Sequence, residues 1–370
     1  MARIFHYSAA ITRHDAIGYS LTALHRAMLR RGLSSHLVCD DEAVVRAPQS
    51  TMGFSDLVLL KPTAGDLVFF HYSFADRNAA GMMELPCRKI MVYHNITPGR
   101  FFRSVGQYEL AKHCDVGRDF LGTMKDCFSA VIADSAFNAH ELTALGYPAP
   151  EIIPVFYNDA FFASGKSENN AFLRRRIAGE ISLVFIGRYV PNKRLDTLIR
   201  VTAAIKHLFK RQVRLRLHGK VWNRDFVIGL RRLAEDVGVE HEVTFALNQP
   251  VEALRTSLAS ADAFVSASEH EGFMVPLVEA FSAGCPVVAL ASTAVTETCG
   301  PAALLVHDAD PEEMAARIII TQQDRDFRYD LIRRQTARAA DFAEYRTMAK
   351  WNAALQELLE EPLSVHAHRI

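Results

Sequence analysis

Two doubly wound α/β domains, each built on a parallel sheet, are predicted by three features of this 370-residue chain. Short apolar runs alternate with longer helical patterns from end to end. Most of the runs are unbroken Val, Ile, Leu and Phe rather than alternating, as strands buried on both faces must be. The repetition occurs twice over, in a chain longer than one ordinary core sustains.

In the first half the strand candidates are Ile4–Tyr7, His36–Cys39, Leu67–Tyr72, Lys89–Tyr93, Ala130–Ala133 and Ile152–Val155. In the second half they are Leu183–Ile186, Val213–Leu217, Val243–Ala246, Ala263–Ser266, Val287–Leu290 and Ala303–Val306. The connections are long enough for crossover helices, so ligands are expected at the carboxyl ends of the strands. The boundary is expected between about Asn158 and Ile181, where NDAFFASGKSENN turns polar and small. This gives a first domain over 1–165 and a second over 166–340. Asp341 to Leu359 reads as a helix with Phe342, Tyr345, Met348, Trp351 and Leu355 at helical spacing. The tail EEPLSVHAHRI reads as a frayed end rather than a metal site.

Composition narrows the function classes. With 42 basic and 42 acidic residues, nothing favours nucleic-acid binding through bulk charge. Cys39, Cys87, Cys114, Cys127, Cys285 and Cys299 are scattered without CxxC spacing, which points to reduced thiols rather than a zinc knuckle or redox motif. The start MARIFHYSAA lacks the pattern of a signal peptide and reads as a first strand. No apolar run reaches the ~18 residues of a membrane span. A cytoplasmic protein is expected, attached to a membrane surface at most. Arg26, Arg30, Arg31 and His25 on the first helix read as a solvated face in preference to a membrane-touching one. The oligomeric state is not legible.

Chemistry-bearing residues gather at predicted strand ends. Gly18 follows the first strand, where a glycine permits a tight turn or close approach of the backbone to a ligand. Neither GxGxxG nor GxxxxGK[ST] occurs, which removes the dinucleotide fingerprint and the ATPase-type phosphate loop. Asp15, three residues before Gly18, reads as a cap or loop residue. His94 and Asn95 stand at the end of a buried strand in MVYHNITPGRFFR. Ala133-Asp134-Ser135 ends another, with Ser135 a candidate helix cap. In LVFIGRYVPNKR a strand ends in Gly187, followed by Arg188 and Lys193, two cations able to neutralise a diphosphate. LRLHGK brings His218 and Gly219 to a neighbouring strand end.

The densest stretch is SASEHEGFMVPLVEAFSAGCPVVAL. Pro276 suits the first turn of a helix and Gly284 its end. Glu271 then lies in the preceding loop and Glu279 about one turn inside. Backbone N–H groups near Gly272, Phe273, Met274 and Val275 form an anion site. A carboxylate beside an anion site suits a ligand carrying both phosphate and hydroxyl groups. The plainer reading is an acidic first turn matched to the helix dipole.

The order Gly18, His94, Gly187-Arg188 with Lys193, then EGFMVPLVE, resembles the retaining glycosyltransferases of family 4, which have the GT-B fold. The resemblance runs from about residue 3 to 355. It implies two Rossmann-like domains facing a cleft, with the C-terminal helix (341–370) crossing back to the first. Arg188 and Lys193 would hold the donor diphosphate and stabilise its leaving charge. Glu271 would bind donor-sugar hydroxyls and Glu279 the ribose. The amides of Gly272 to Val275 would contact sugar and phosphate, with Gly187, His218 and Gly219 completing the donor set. His94 would lie near the anomeric centre, Gly18 would let its loop approach the sugar and phosphates, and Asp15 and Asn95 would face the acceptor. Two departures stand out: Met274 occupies a position where the family often has glycine, and Ile17-Gly18 replaces a common Gly-Gly.

The resemblance implies hexose transfer with retention from a nucleotide sugar, GDP-mannose or a UDP-sugar, to a saccharide or lipid-linked acceptor in surface-polysaccharide synthesis. DAIG and YHNITP tilt the sugar towards mannose. The nucleotide sugar is a substrate and no cofactor is expected. No DxD is positioned as a metal site, so metal-independent chemistry is expected, with the two cations and the helix start in the metal's place. A sugar-nucleotide epimerase on the same fold and a non-catalytic nucleotide-sugar-binding protein are the alternatives.

Overall fold

The computed structural model describes residues 2–12, 15–164 and 179–360. Most of the expected polar linker and the tail from residue 361 lie outside the described residues. The chain divides into two compact units. One comprises Met1–Ile96, Lys112–Tyr157 and Ala343–Ile370; the other comprises Thr97–Ala111 and Asn158–Phe342.

The first unit holds seven strands: β1 (Arg3–Ser8), β2 (Ser34–Cys39), β3 (Met52–Gly53), β4 (Leu67–Tyr72), β5 (Arg88–Tyr93), β6 (Ala130–Ala133) and β7 (Glu151–Ile152). Their order is β3-β2-β1-β4-β5-β6-β7, with every neighbour parallel. The second unit holds six: β8 (Ile181–Ile186), β9 (Val213–Gly219), β10 (Val243–Leu247), β11 (Ala263–Ser266), β12 (Val287–Leu290) and β13 (Leu304–Val306). Their order is β10-β9-β8-β11-β12-β13, again all parallel. In each sheet the chain winds outward in one direction, returns to the middle and winds outward in the other. The reversals fall between β1 and β4 and between β8 and β11. Crossover connections leave opposite faces there, so the strand ends open into a crevice.

The unbroken apolar runs become these strands because helices cover both faces. All six residues of β4 and all six of β8 are buried. Two strand expectations change. β3 is absent from the sequence reading, because a two-residue Met-Gly pairing has no periodicity to detect. β7 is shorter than the expected Ile152–Val155: Ile153 N donates to Ala133 O at 3.0 Å, and Pro154, with no N–H, ends the ladder.

The closing helix runs Glu344–Glu360, after a 3₁₀ turn at Ala340–Phe342. Trp351, Leu355 and Leu358 enter the first unit's core with Ile4, Phe69, Ile90 and Ile132. The Trp351 indole meets Phe69 edge-on at 5.7 Å. Tyr345, expected on the apolar face, is 68% exposed. Tyr345 lies in the first turn of the helix, and its spacing alone does not bring it into the core. Phe342 groups with the second unit, edge-on to Phe273 at 5.3 Å. Thr97–Ala111, inside the span read as the first domain, also groups with the second unit.

The acidic run Asp40-Asp41-Glu42 is tied into the fold. Arg77 donates to both Asp40 oxygens at 2.5 Å and to Glu42 at 2.8 Å. Asp41 accepts from the Ser55 amide and hydroxyl. Among the described residues no helix is long and apolar enough to cross a membrane.

Trp351→Ala is expected to cost about 3–5 kcal/mol, as truncation of a buried aromatic does. Tyr345→Ala should stay within roughly 0.5 kcal/mol. Urea unfolding of the two variants measures the contrast.

Candidate functional site

In the second unit, the loops that follow β8 and β11 flank the sheet's reversal. After β11 the chain runs through Ala267–Gly272 into the helix Val275–Ala283. Pro276 sits in its first turn, and Gly284 ends it with φ 70°. Met274 is the N-cap, with φ 77° and ψ 65°. That left-handed conformation favours glycine and costs a larger residue roughly 1 kcal/mol or more. This is a physical reason for a glycine at the position. Met274 is only 6% exposed, and burying its side chain offsets the strain. No acceptor among the described residues takes the N–H groups of Gly272, Phe273, Met274 or Val275. The helix start therefore has N–H donors of the kind that can meet an anion.

The β8 loop supplies the cations. It carries Arg188, then a 3₁₀ turn at Pro191–Lys193, then Arg194 at φ 50°. Lys193 Nζ donates to Glu271 Oε1 at 2.5 Å, with side chains only 13% and 9% exposed. The backbones are fixed too. Asn192 Nδ2 donates to His270 O at 3.0 Å, and Glu269 N to Asn192 O at 2.8 Å. On the other side Thr293 Oγ1 accepts from Glu271 N at 2.8 Å and donates to Glu271 O at 3.0 Å. Arg194 joins Asp196 and Glu269. Arg188 is exposed and has no side-chain partner among the described residues.

Glu279 is half-buried and takes no hydrogen bond or ion pair among the described residues. Desolvation pushes its carboxyl up to about 8. Gly187 and Gly219 answer to packing. A Cβ on Gly219 would stand 1.9 Å from Gly187 O, and one on Gly187 would stand 2.7 Å from the Phe185 ring. His218 is 2% exposed, with Nε2 2.9 Å from Ser257 Oγ in the helix Val251–Ser260. Burial lowers its imidazole to about 4, so it is neutral and held beneath that helix.

In the first unit Asp15 caps the helix Ala16–Arg30, accepting from Gly18 N at 2.7 Å and from the Thr12 hydroxyl. Gly18 lies in the first helical turn, where a Cβ would meet Thr12 O at 1.8 Å. The glycine serves loop-to-helix approach. His94 has both ring nitrogens engaged: Nδ1 with Asp134 Oδ2 at 2.8 Å and Nε2 with His71 Nδ1 at 3.0 Å. The two rings stack at 5.3 Å. Burial raises the Asp134 carboxyl, against the pull of His94, and lowers His71 well below its ordinary value. His71 escaped the sequence reading because it lies within an apolar run, with no spacing to mark it. Asn95, at φ 70°, donates through Nδ2 to Asn138 Oδ1 at 2.9 Å and Glu141 Oε2 at 3.1 Å.

The chain is similar to known proteins in sequence and in fold. Residues 168–338 match the family model described as glycosyl transferases group 1. The chain is similar to the O-antigen chain mannosyltransferase B of Escherichia coli, 27% identical over 223 residues, 59% of this chain and 58% of that protein. It is 28% identical over 257 residues to a D-inositol 3-phosphate glycosyltransferase of Nocardia farcinica, 65% of this chain and 56% of that one. The chain thus spans a little over half the length of these two relatives. Among solved structures, Anabaena HepE in complex with UDP and glucose superposes with a TM-score of 0.72 at 16% identity, covering 98% of this chain and 100% of that one. Sucrose-phosphate synthase from Thermosynechococcus elongatus gives 0.74 at 19% identity, covering 97% and 99%. At these identities the likeness is one of fold, two Rossmann-like domains of the GT-B type.

The raised Glu279 carboxyl makes stability pH-dependent. The folded state holds its proton to about 8, whereas an unfolded glutamate releases it near 4.3. The contribution is therefore full below the unfolded value and lost as pH rises towards 8. Glu279→Gln should match the wild type at pH 4 and exceed it by roughly 2–4 kcal/mol above pH 8, at about 1.4 kcal/mol per pH unit reduced for partial exposure. Denaturant melts across pH measure the difference. Parallel curves would mean that Glu279 ionises normally in the fold.

Proposed function

We propose that this chain is a retaining glycosyltransferase that moves a hexose, with mannose favoured, from a nucleoside diphosphate sugar to a saccharide or lipid-linked acceptor. The observation that carries the reading is the Lys193–Glu271 pair at the reversal of the second sheet, beside a helix start and a Glu279 whose amides and carboxyl take no partner among the described residues. A cation, a carboxylate and a row of N–H donors at one strand edge suit a ligand that is diphosphate at one end and polyol at both flanks. The match of 168–338 to group 1 glycosyl transferases supports the class. Mannose is supported by the E. coli relative's name and by that of a GDP-mannose:cellobiosyl-diphosphopolyprenol mannosyltransferase of Xanthomonas oryzae, 34% identical over 104 residues.

In this mechanism Lys193, Arg188 and the amides of 272–275 receive the charge that develops on the leaving diphosphate, where fixed donors act most strongly. Glu271 orients Lys193 and meets the donor-sugar hydroxyls. Glu279 meets the ribose; kept protonated by burial, it donates a hydrogen bond as well as accepting one. The bond from the anomeric carbon to the diphosphate breaks, the bond to the acceptor oxygen forms on the same face, and the acceptor proton passes to the departing phosphate. His94, sealed between Asp134 and His71, acts by holding the β5 loop rather than by proton transfer.

Two measurements test this. In a thermal-shift screen, GDP at ~100 times its dissociation constant should stabilise the protein by roughly 2.7 kcal/mol; a shift with UDP alone would reassign the base. Arg188→Ala, at an exposed and unpaired side chain, should melt like the wild type yet lower kcat about 100-fold. Undiminished transfer by that variant would sink the assignment, and a new sugar nucleotide formed from UDP-GlcNAc without acceptor would favour an epimerase.

A further inference from the structure

The charges at the second unit's site do not balance the ligand proposed for it. Each phosphate of a nucleotide sugar carries one negative charge, and departure of the sugar adds another. Against this the site sets Arg188 and Lys193. Lys193 shares its charge with Glu271 at 2.5 Å, so it meets only part of the negative charge that develops. Arg194 is committed to Asp196 and Glu269. Glu279, with its carboxyl near 8, adds no negative charge at neutral pH and supplies no positive one. Of the cations on the β8 loop, Arg188 is the one with no carboxylate partner among the described residues. Donors in a water-poor site are most effective when the charge they face is matched.

Thr97–Ala111 offers the missing charge. The segment belongs with the second unit. Its helical turn Arg100–Arg103 packs against Pro191–Lys193, the turn that carries Lys193. The Phe101 ring lies 6.0 Å from that of His270, the residue before Glu271. The Arg100 guanidinium rests 4.8 Å over the Phe101 ring. Arg100 is exposed, and no carboxylate pairs with it among the described residues. A guanidinium parked on an aromatic face is held weakly at an exposed site, so a phosphate can draw it away at small cost, and it meets phosphate oxygens through two parallel N–H groups.

We propose that Arg100 is a further diphosphate-binding cation of the donor site, carried to the Lys193 and Glu271 loops by the packing of Phe101 on His270. The inference rests on the glycosyltransferase reading and adds a residue to it. Phe101 is a positioning residue.

Calorimetric titration of GDP and GMP, with UDP and UMP in parallel, tests it on the full chain. Arg100→Gln should weaken diphosphate binding about tenfold and leave monophosphate binding nearly unchanged, so the ratio of the two affinities collapses. Phe101→Ala should reproduce part of that loss and Phe101→Leu less of it, a ratio change that general loosening of the fold would not produce. Lys220→Gln, at an exposed lysine beyond β9, is the comparator. An unchanged ratio in Arg100→Gln, or a loss carried by Lys220→Gln instead, overturns the proposal and leaves the glycosyltransferase reading intact. A wild-type protein that binds none of the four nucleotides overturns both.

Discussion

The pairing of Lys193 with Glu271 is the interaction on which the second unit's site depends. Removing two charges from water is costly, and their attraction repays it only with good geometry and support from neighbouring hydrogen bonds. That support is visible on every side. Asn192 ties its turn to His270, Thr293 grips both backbone atoms of Glu271, and Arg194 reaches across to Glu269. The order reversal between β8 and β11 makes the pair possible, because it leaves the two loops as neighbours at one edge of the sheet. Topology therefore sets the position, loop hydrogen bonds set the register, and the ion pair is the product.

The first unit uses its strand ends differently. Its titratable groups turn inward: His94 is shared between Asp134 and His71, and His6 stacks on Phe69 with its imidazole lowered to about 3 by burial. These groups are buried inside a core and engaged with one another or with aromatic rings. Asp15 and Gly18 likewise serve their own helix. In the second unit, in contrast, Arg188, Glu279 and the amides of 272–275 have no partner among the described residues. Such groups call for an explanation, and water or a ligand can supply their partners.

Glycine marks close approach without saying of what. Gly187, Gly219 and Gly18 each stand at or after a strand end, where a turn, a ligand or a protein atom can demand it. Each is required by protein atoms: the Phe185 ring, Gly187 O and Thr12 O respectively. Met274 shows the converse. Its left-handed backbone is the reason glycine suits that position, and no sequence pattern of this chain displays a dihedral angle.

The sequence by itself determined the two parallel sheets, since short unbroken runs of Val, Ile, Leu and Phe alternating with longer helical patterns fit strands covered on both faces. It also determined the helix from Val275 to Ala283, through Pro276 at its start and Gly284 at its end. It singled out Lys193 and Glu271, though 78 positions apart, as residues of one chemistry. Tertiary structure alone decided which groups are spent and which remain. Contacts between residues far apart in the chain sealed His94 against His71, placed His218 under Ser257, and desolvated Glu279. They also joined Thr97–Ala111 to the second unit. Burial and partnership are properties of the packed chain, and spacing along a sequence carries no record of them.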